Sequence, residues 1–229
     1  MEWASTIFPF ETRIEPSEFI ERIWRTRGVP ERTMISVAIP RWHILVVQYS
    51  CRPPSVIVRG PETRASIVEI PQAEEFMGIE FRLGTFLPTL ALETLIDAAT
   101  ELDGWSRTQV ALAKSHWEIP SFDTAADFAA RLARSGALVR DPVVEQVLLR
   151  KPVTLTERSV QRRFRRATGL TYGTVQQIER AERTVALLSA GTSILDAVEI
   201  AGYSDQAHLT RSLRRYVGKT PGVLLSRRP

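Results

Sequence analysis

Apolar positions change their spacing twice along this chain. Near the start Phe19, Ile20, Ile23 and Trp24, following Pro16 and Glu18, have the spacing of a short amphipathic helical turn. From Arg32 to Pro88 β-branched and aromatic runs take over, at residues 34–39, 42–49, 55–60, 65–70 and 78–83. Pro40, Pro53-Pro54, Gly60-Pro61, Pro71 and Gly84 punctuate them, which predicts several short strands forming a small β-barrel or sandwich. After Pro88 the period becomes helical. Leu90, Leu92, Leu95, Ile96 and Ala99 form one stripe, and Phe122, Ala125, Phe128, Ala129 and Leu132 a second. Asp141-Pro142 opens a third helix carrying Val143, Val144, Val147 and Leu148, with proline in the first turn, where its missing N–H costs nothing.

The last 80 residues repeat one plan, a helix, a turn, then a helix dense in Arg and Gln. In the first unit Thr156 is the expected N-cap of a helix that runs to Gly169. Val160, Phe164 and Ala167 fall on one face of it, and Arg158, Gln161, Arg162 and Arg165 on another. The second unit starts at Ser193 with Asp196 three residues on, turns through Gly202-Tyr203-Ser204, and continues as a helix over about Asp205 to Val217, closed by Gly218. Leu209, Leu213 and Tyr216 point inward there; Gln206, Thr210, Arg211 and Arg214 point out. A helix of about 20 residues, Thr171 to Ala190, lies between the units and is roughly 30 Å long, close to the ~34 Å turn of B-DNA.

Composition narrows the classes. With 229 residues, 44% hydrophobic and 24% charged, the chain is neither a disordered tail nor a low-complexity scaffold. One cysteine, Cys51, excludes a disulfide framework and a multi-cysteine zinc module; Arg52 beside it leaves a reactive thiol as a lesser reading against an inert one. The densest apolar run, Ile44 to Val47, is far short of the ~18 residues of a membrane span. Met1-Glu2-Trp3-Ala4 has no basic, then apolar, leader, so the cytoplasm is the expected compartment and no membrane partner is expected.

Net charge is +4, but residues 150–229 hold 15 Lys/Arg against 6 Asp/Glu, giving +9, and residues 1–149 hold 15 against 20, giving −5. This asymmetry predicts a basic module that meets a polyanion, joined to a module with another task. His43, His116 and His208 are isolated, Glu74-Glu75 is an adjacent pair whose carboxylates point apart, and neither a phosphate loop nor a Gly-x-Ser-x-Gly elbow occurs. No catalytic constellation, metal site or cofactor is expected.

The stretch from Leu155 to Leu170 resembles the first recognition segment of AraC/XylS-type transcription regulators. The stretch from Ser193 to Pro221, with Ala201-Gly202-Tyr203-Ser204-Asp205-Gln206 at its centre, resembles that family's signature. The resemblance covers about Asp141 to Leu225. It departs from the family pattern at Val153-Thr154-Leu155-Thr156, where Gly-Leu-Ser is usual, and at Val198, where a small Ala is usual. It implies that Arg158, Gln161 and Arg162 of the first unit and Gln206, Thr210 and Arg211 of the second enter the major groove. There Arg suits guanine, Gln adenine and Thr a thymine methyl or a phosphate. Arg163, Arg165, Arg166, Arg214, Arg215 and Lys219 are then the expected phosphate contacts.

A β-rich first half before such a module resembles, more weakly, the cupin-like sensing or dimerisation domain of some members, on Gly78 to Pro88 after Val58 to Thr63. Trp42, His43, Tyr49, Phe81 and Phe86 are candidates to line a pocket there, against the plainer reading that most of them are core.

The expected fold is therefore α+β in two domains. Residues 1–135 form a small barrel or cupin-like domain with flanking helices, and 136–229 an all-α double helix-turn-helix domain. The expected function is a sequence-specific, one-component DNA-binding regulator. Its partners are double-stranded DNA, a small-molecule effector, a second copy of the chain, and RNA polymerase if it activates. The alternatives are a small-molecule-binding protein whose DNA module is vestigial or nonspecific, and a cupin-like enzyme on a DNA anchor.

Overall fold

The computed structural model describes residues 10–14, 16–104 and 106–226. The leader reading of Met1 to Ala4 lies outside them. The centre of the first half is a six-stranded antiparallel sheet. Its strands are β1 (Glu11–Arg13), β2 (Ile20–Arg27), β4 (His43–Gln48), β5 (Ser55–Arg59), β7 (Glu75–Phe81) and β9 (Ala99–Glu101), in the order β1-β2-β7-β4-β5-β9. Register sets a row of four fully buried side chains, Ile23, Ile79, Ile44 and Val58, across four neighbouring strands of one face. This face joins Phe128 and Leu132 of α1 (Ala125–Arg134) in the core, and α1 packs against β2. Over the other face lies a two-stranded ribbon, β3 (Thr33–Ser36) with β6 (Ser66–Glu69).

The β-rich half matches expectation in class, with one difference of form. Its sheet is open, since β1 and β9 stand at opposite ends of the strand order; a ribbon and a helix, not closure, cover its faces. Two local readings are corrected. Residues 18–24 are not a helical turn but a bend followed by the start of β2 at Ile20, where a register shift between Ile20 and Arg22 inserts one residue. That bulge puts Ile20 and Ile23 both in the core at a spacing of three, which imitates a helix. The stripe after Pro88 holds only one 3₁₀ turn, Leu92–Leu95. The chain then enters β9 and a hairpin of β10 (Gln109–Leu112) with β11 (Ser115–Glu118). Asp97, at φ 54, ends the turn, and Thr63 donates to its carboxylate from both N–H and Oγ1 at 2.6 Å.

The chain crosses into the helical half through β12 (Val139–Arg140), which pairs with β8 (Thr85–Phe86). Six helices follow: α2 (Pro142–Leu148), α3 (Glu157–Thr168), α4 (Tyr172–Ser189), α5 (Ile194–Ala201), α6 (Gln206–Val217) and α7 (Pro221–Leu225). The long α4 packs against α3, α5, α6 and α7. Its Val175, Ile178, Ala181, Val185 and Leu188 are buried at helical spacing, and they share a core with Phe164, Leu209 and Leu213. Among the described residues no helix is long and apolar enough to cross a membrane.

The two halves are tied together. Helix α3 packs against the 3₁₀ turn and β8. Arg41, half-buried just before β4, donates to Glu80 at 2.5 Å and lies 3.6 Å from Glu182 of α4. The residues flanking the ribbon reach α6: Ala38 N–H donates to the Tyr216 carbonyl at 2.8 Å, and Ala65 N–H to that of Arg215 at 2.7 Å. A helix leaves its last four carbonyls without internal partners, so the end of α6 is capped by backbone amides of the first half.

Candidate nucleic-acid interface

Helices α3 and α6 are each started by a side-chain cap. Thr156 Oγ1 accepts from Ser159 N–H at 3.3 Å at the head of α3. Asp205 Oδ1 accepts from His208 N–H at 2.6 Å at the head of α6. That backbone bond, opposed by slight desolvation and aided by Ser204 and Arg211, holds the Asp205 carboxyl below its usual range. Gly169 and Gly218 close the two helices in the left-handed conformation. The caps fix where each helix begins, and so which residues lead its exposed face.

On α3, Phe164 and Ala167 are buried, and Arg158, Gln161, Arg162 and Arg165 are exposed. Their spacing of three, four and seven puts these four on one face, as a row of donors free of the core. Gln161 Nε2 donates to Glu157 Oε1 at 3.0 Å. On α6, Leu209, Ser212, Leu213 and Tyr216 are buried; Gln206, Arg211 and Arg214 are exposed and Thr210 half-buried. Between them Tyr203 braces the second turn. Its hydroxyl meets Ser212 Oγ at 3.1 Å, and Arg180 of α4 lies over its ring and donates to the Gly202 carbonyl.

Four residues expected at phosphates have other neighbours. Arg163 donates from Nε and Nη2 to the two oxygens of Asp141, each at 2.8 Å, and so locks α3 to the cap of α2. Arg166 lies over the ring of buried Phe86, and Arg215 over that of Tyr216. Lys219 borders a cavity and has a partner of its own. Arg165 and Arg214 remain with the exposed rows.

That cavity, about 220 Å³, lies between the sheet and the β3–β6 ribbon. Of the five residues expected to line a pocket only His43 does so. Trp42 stacks on Phe81 at 4.1 Å and donates from Nε1 to the Thr85 carbonyl; these two and Phe86 are core. Tyr49 lies under the Arg52 guanidinium, which is thereby turned onto a ring next to the exposed thiol of Cys51. The real lining comes from the sheet's other face, and sequence reading missed it. Arg22, Glu80, His43 and Arg59 stand in register across β2, β7, β4 and β5 as one polar row. Arg22 and Arg41 both donate to Glu80, and despite burial they hold its carboxyl down at about 2. Burial, with Arg59 nearby, lowers His43 to about 4, so its imidazole is neutral.

A family model described as a helix-turn-helix domain matches residues 151–227. Among solved structures the chain is similar to ToxT from Vibrio cholerae, with a TM-score of 0.40 and 9% identity over 95% of this chain and 98% of that one. No curated protein matches it by sequence. Two capped helices with outward donor rows and a bracing helix between them lie within the residues that the family model matches, so residues 151–227 form a helix-turn-helix domain.

Proposed function

We propose that the protein is a one-component, sequence-specific transcription regulator that sets α3 and α6 in successive major grooves of one DNA face. In this reading residues 136–229 bind DNA, and residues 1–135 sense an effector or pair two copies. Contact with RNA polymerase follows if the protein activates. The carrying observation is the pair of exposed donor rows, Arg158/Gln161/Arg162/Arg165 and Gln206/Arg211/Arg214, on helices joined by α4. The 18 residues of α4 span about 27 Å at ~1.5 Å each, near the ~34 Å turn of the duplex. Arg158, Gln161, Arg162, Gln206, Thr210 and Arg211 are the proposed base readers; Arg165 and Arg214 are the proposed phosphate contacts.

The test is a titration against DNA upstream of the protein's own and neighbouring genes, at ~150 mM salt with excess nonspecific competitor. A discrete protected site is expected, and Arg211→Ala should weaken it by about 1–3 kcal/mol and relax base choice at one position. Binding that competitor abolishes at every sequence would mean that the basic half is an electrostatic anchor, and the regulator reading would fall.

A further inference from the structure

We propose that the cavity between the sheet and the β3–β6 ribbon binds an uncharged, mainly apolar small molecule that carries one hydrogen-bonding group. The proposal deepens the reading of the first half as a sensing module by naming the class of molecule sensed.

Three observations carry it. The first is charge balance. Arg22, Arg59 and Lys219 border the cavity, and so do Glu62, Glu69 and Glu80. The buried members are already paired. Arg22 donates to Glu80 at 2.7 Å, and Arg59 to Glu62 at 2.6 Å. Ser36 Oγ lies within 3.0 Å of both Glu62 oxygens. Burial pushes the Glu62 carboxyl up, and Arg59 and Ser36 oppose it. A charged ligand would have to break one of these pairs, whose Glu62 and Glu80 carboxylates are themselves buried, leaving an uncompensated charge.

The second is the floor and roof. Trp24 lies flat over Gly78, so close that a Cβ there would stand 2.2 Å from the indole. Leu45 and Phe76 extend this floor along the sheet, and Met34, Ile35 and Val68 of the ribbon form the roof. At about 220 Å³ the space is below the ~300–1,000 Å³ of pockets for drug-sized ligands, which favours a compact molecule.

The third is an orphan. Thr26, 5% exposed and part of the lining, has a buried Oγ1 with no hydrogen-bond partner among the described residues. It lies in register with Phe76, beyond the Trp24 position from the charged row. A buried hydroxyl without a partner is costly, and a ligand group that donates to it or accepts from it recovers that cost. His43, neutral at the far end, offers one further donor and acceptor.

The test uses three probes with one apolar body, naphthalene, 2-naphthol and 2-naphthoate, titrated calorimetrically into the full chain, with binding to DNA measured separately. We expect 2-naphthol to bind tightest and 2-naphthoate to bind at least tenfold more weakly. Thr26→Val, nearly isosteric and suited to a strand, should weaken 2-naphthol about five- to tenfold, leave naphthalene unchanged, and keep the melting temperature at or above that of the parent. Tighter binding of 2-naphthoate, an equal loss for naphthol and naphthalene in Thr26→Val, or no binding of any probe to the folded chain would each overturn the proposal. Probe binding without sequence-specific DNA binding would instead strike the regulator reading alone.

Discussion

Arg163 and Arg165 sit two residues apart on α3, yet they have different surroundings. Arg163 is held by a two-point ion pair to Asp141, whose Oδ1 also caps α2 through Val143 N–H. Arg165 is exposed beside Arg158, Gln161 and Arg162. The perturbation is Arg→Ala at each position in turn. A side chain on a phosphate releases counterions, so removing Arg165 should reduce the slope of log affinity against log salt by about 0.9. Over the threefold rise from 50 to 150 mM salt, that slope is worth a factor of about 2.7 per contact. The parent should therefore lose about 2.7 times more affinity over that interval than Arg165→Ala does. Arg163→Ala should leave the slope as in the parent and lower the melting temperature, since α3 loses its tie to the α2 cap. Fluorescence anisotropy on a short duplex at four salt concentrations reads both effects. A slope reduced by about one in Arg163→Ala would show that Arg163 leaves Asp141 for the backbone, and the division of duties drawn here would be wrong.

Other outcomes follow from the first half. A Cβ at Gly60 would fall 2.0 Å from the backbone carbonyl of Leu95, which cannot move alone; Gly60→Ala should cost about 3 kcal/mol or more by chemical denaturation, and a loss under ~1 kcal/mol would contradict the packing. Gly78→Ala meets only the movable indole of Trp24, so it should cost less, but it should also abolish 2-naphthol binding by crowding the cavity. His43 is depressed to about 4 from 6.5, so below pH 6.5 the unfolded chain takes up a proton that the folded chain refuses. That stability is present at neutral pH and lost as pH falls from 6.5 toward 4, roughly 2 kcal/mol between pH 7 and pH 5. His43→Gln should flatten this part of the stability profile, and an unchanged profile would place the titration elsewhere.

The helical half was legible in the sequence because its signals are local. Caps at Thr156 and Ser193, glycines at 169 and 218 and apolar residues at helical spacing all act within a few residues of one another. The strands from β3 to β7 were legible for the same reason. What escaped was whatever depends on register or on distant partners. The bulge in β2 broke strand alternation into a helix-like spacing, and β9 is only three residues long. The cavity wall needs Arg22, Glu80, His43 and Arg59 from four strands whose spatial order differs from their chain order. Conspicuous aromatics such as Trp42 and Phe81 drew attention instead, and they stack on each other in the core. Arg41 gives no sign in sequence that it will meet Glu182, 141 residues later.

The capping of α6 by Ala38 and Ala65 has a genetic consequence. Helix α6 ends in the carbonyls of Arg215 and Tyr216, which backbone amides of the far half cap, so heredity will not respect the boundary between the halves. Alleles collected blind for loss of operator control should fall in two places: the exposed rows of α3 and α6, and the approaches to the β3–β6 ribbon, where no side chain needs to come near DNA. Proline at Ala38 or Ala65 removes the donor itself and should behave as a lesion in the recognition helix. A chain shortened to its last 90 residues would carry the whole family signature and still have a frayed helix where that signature ends.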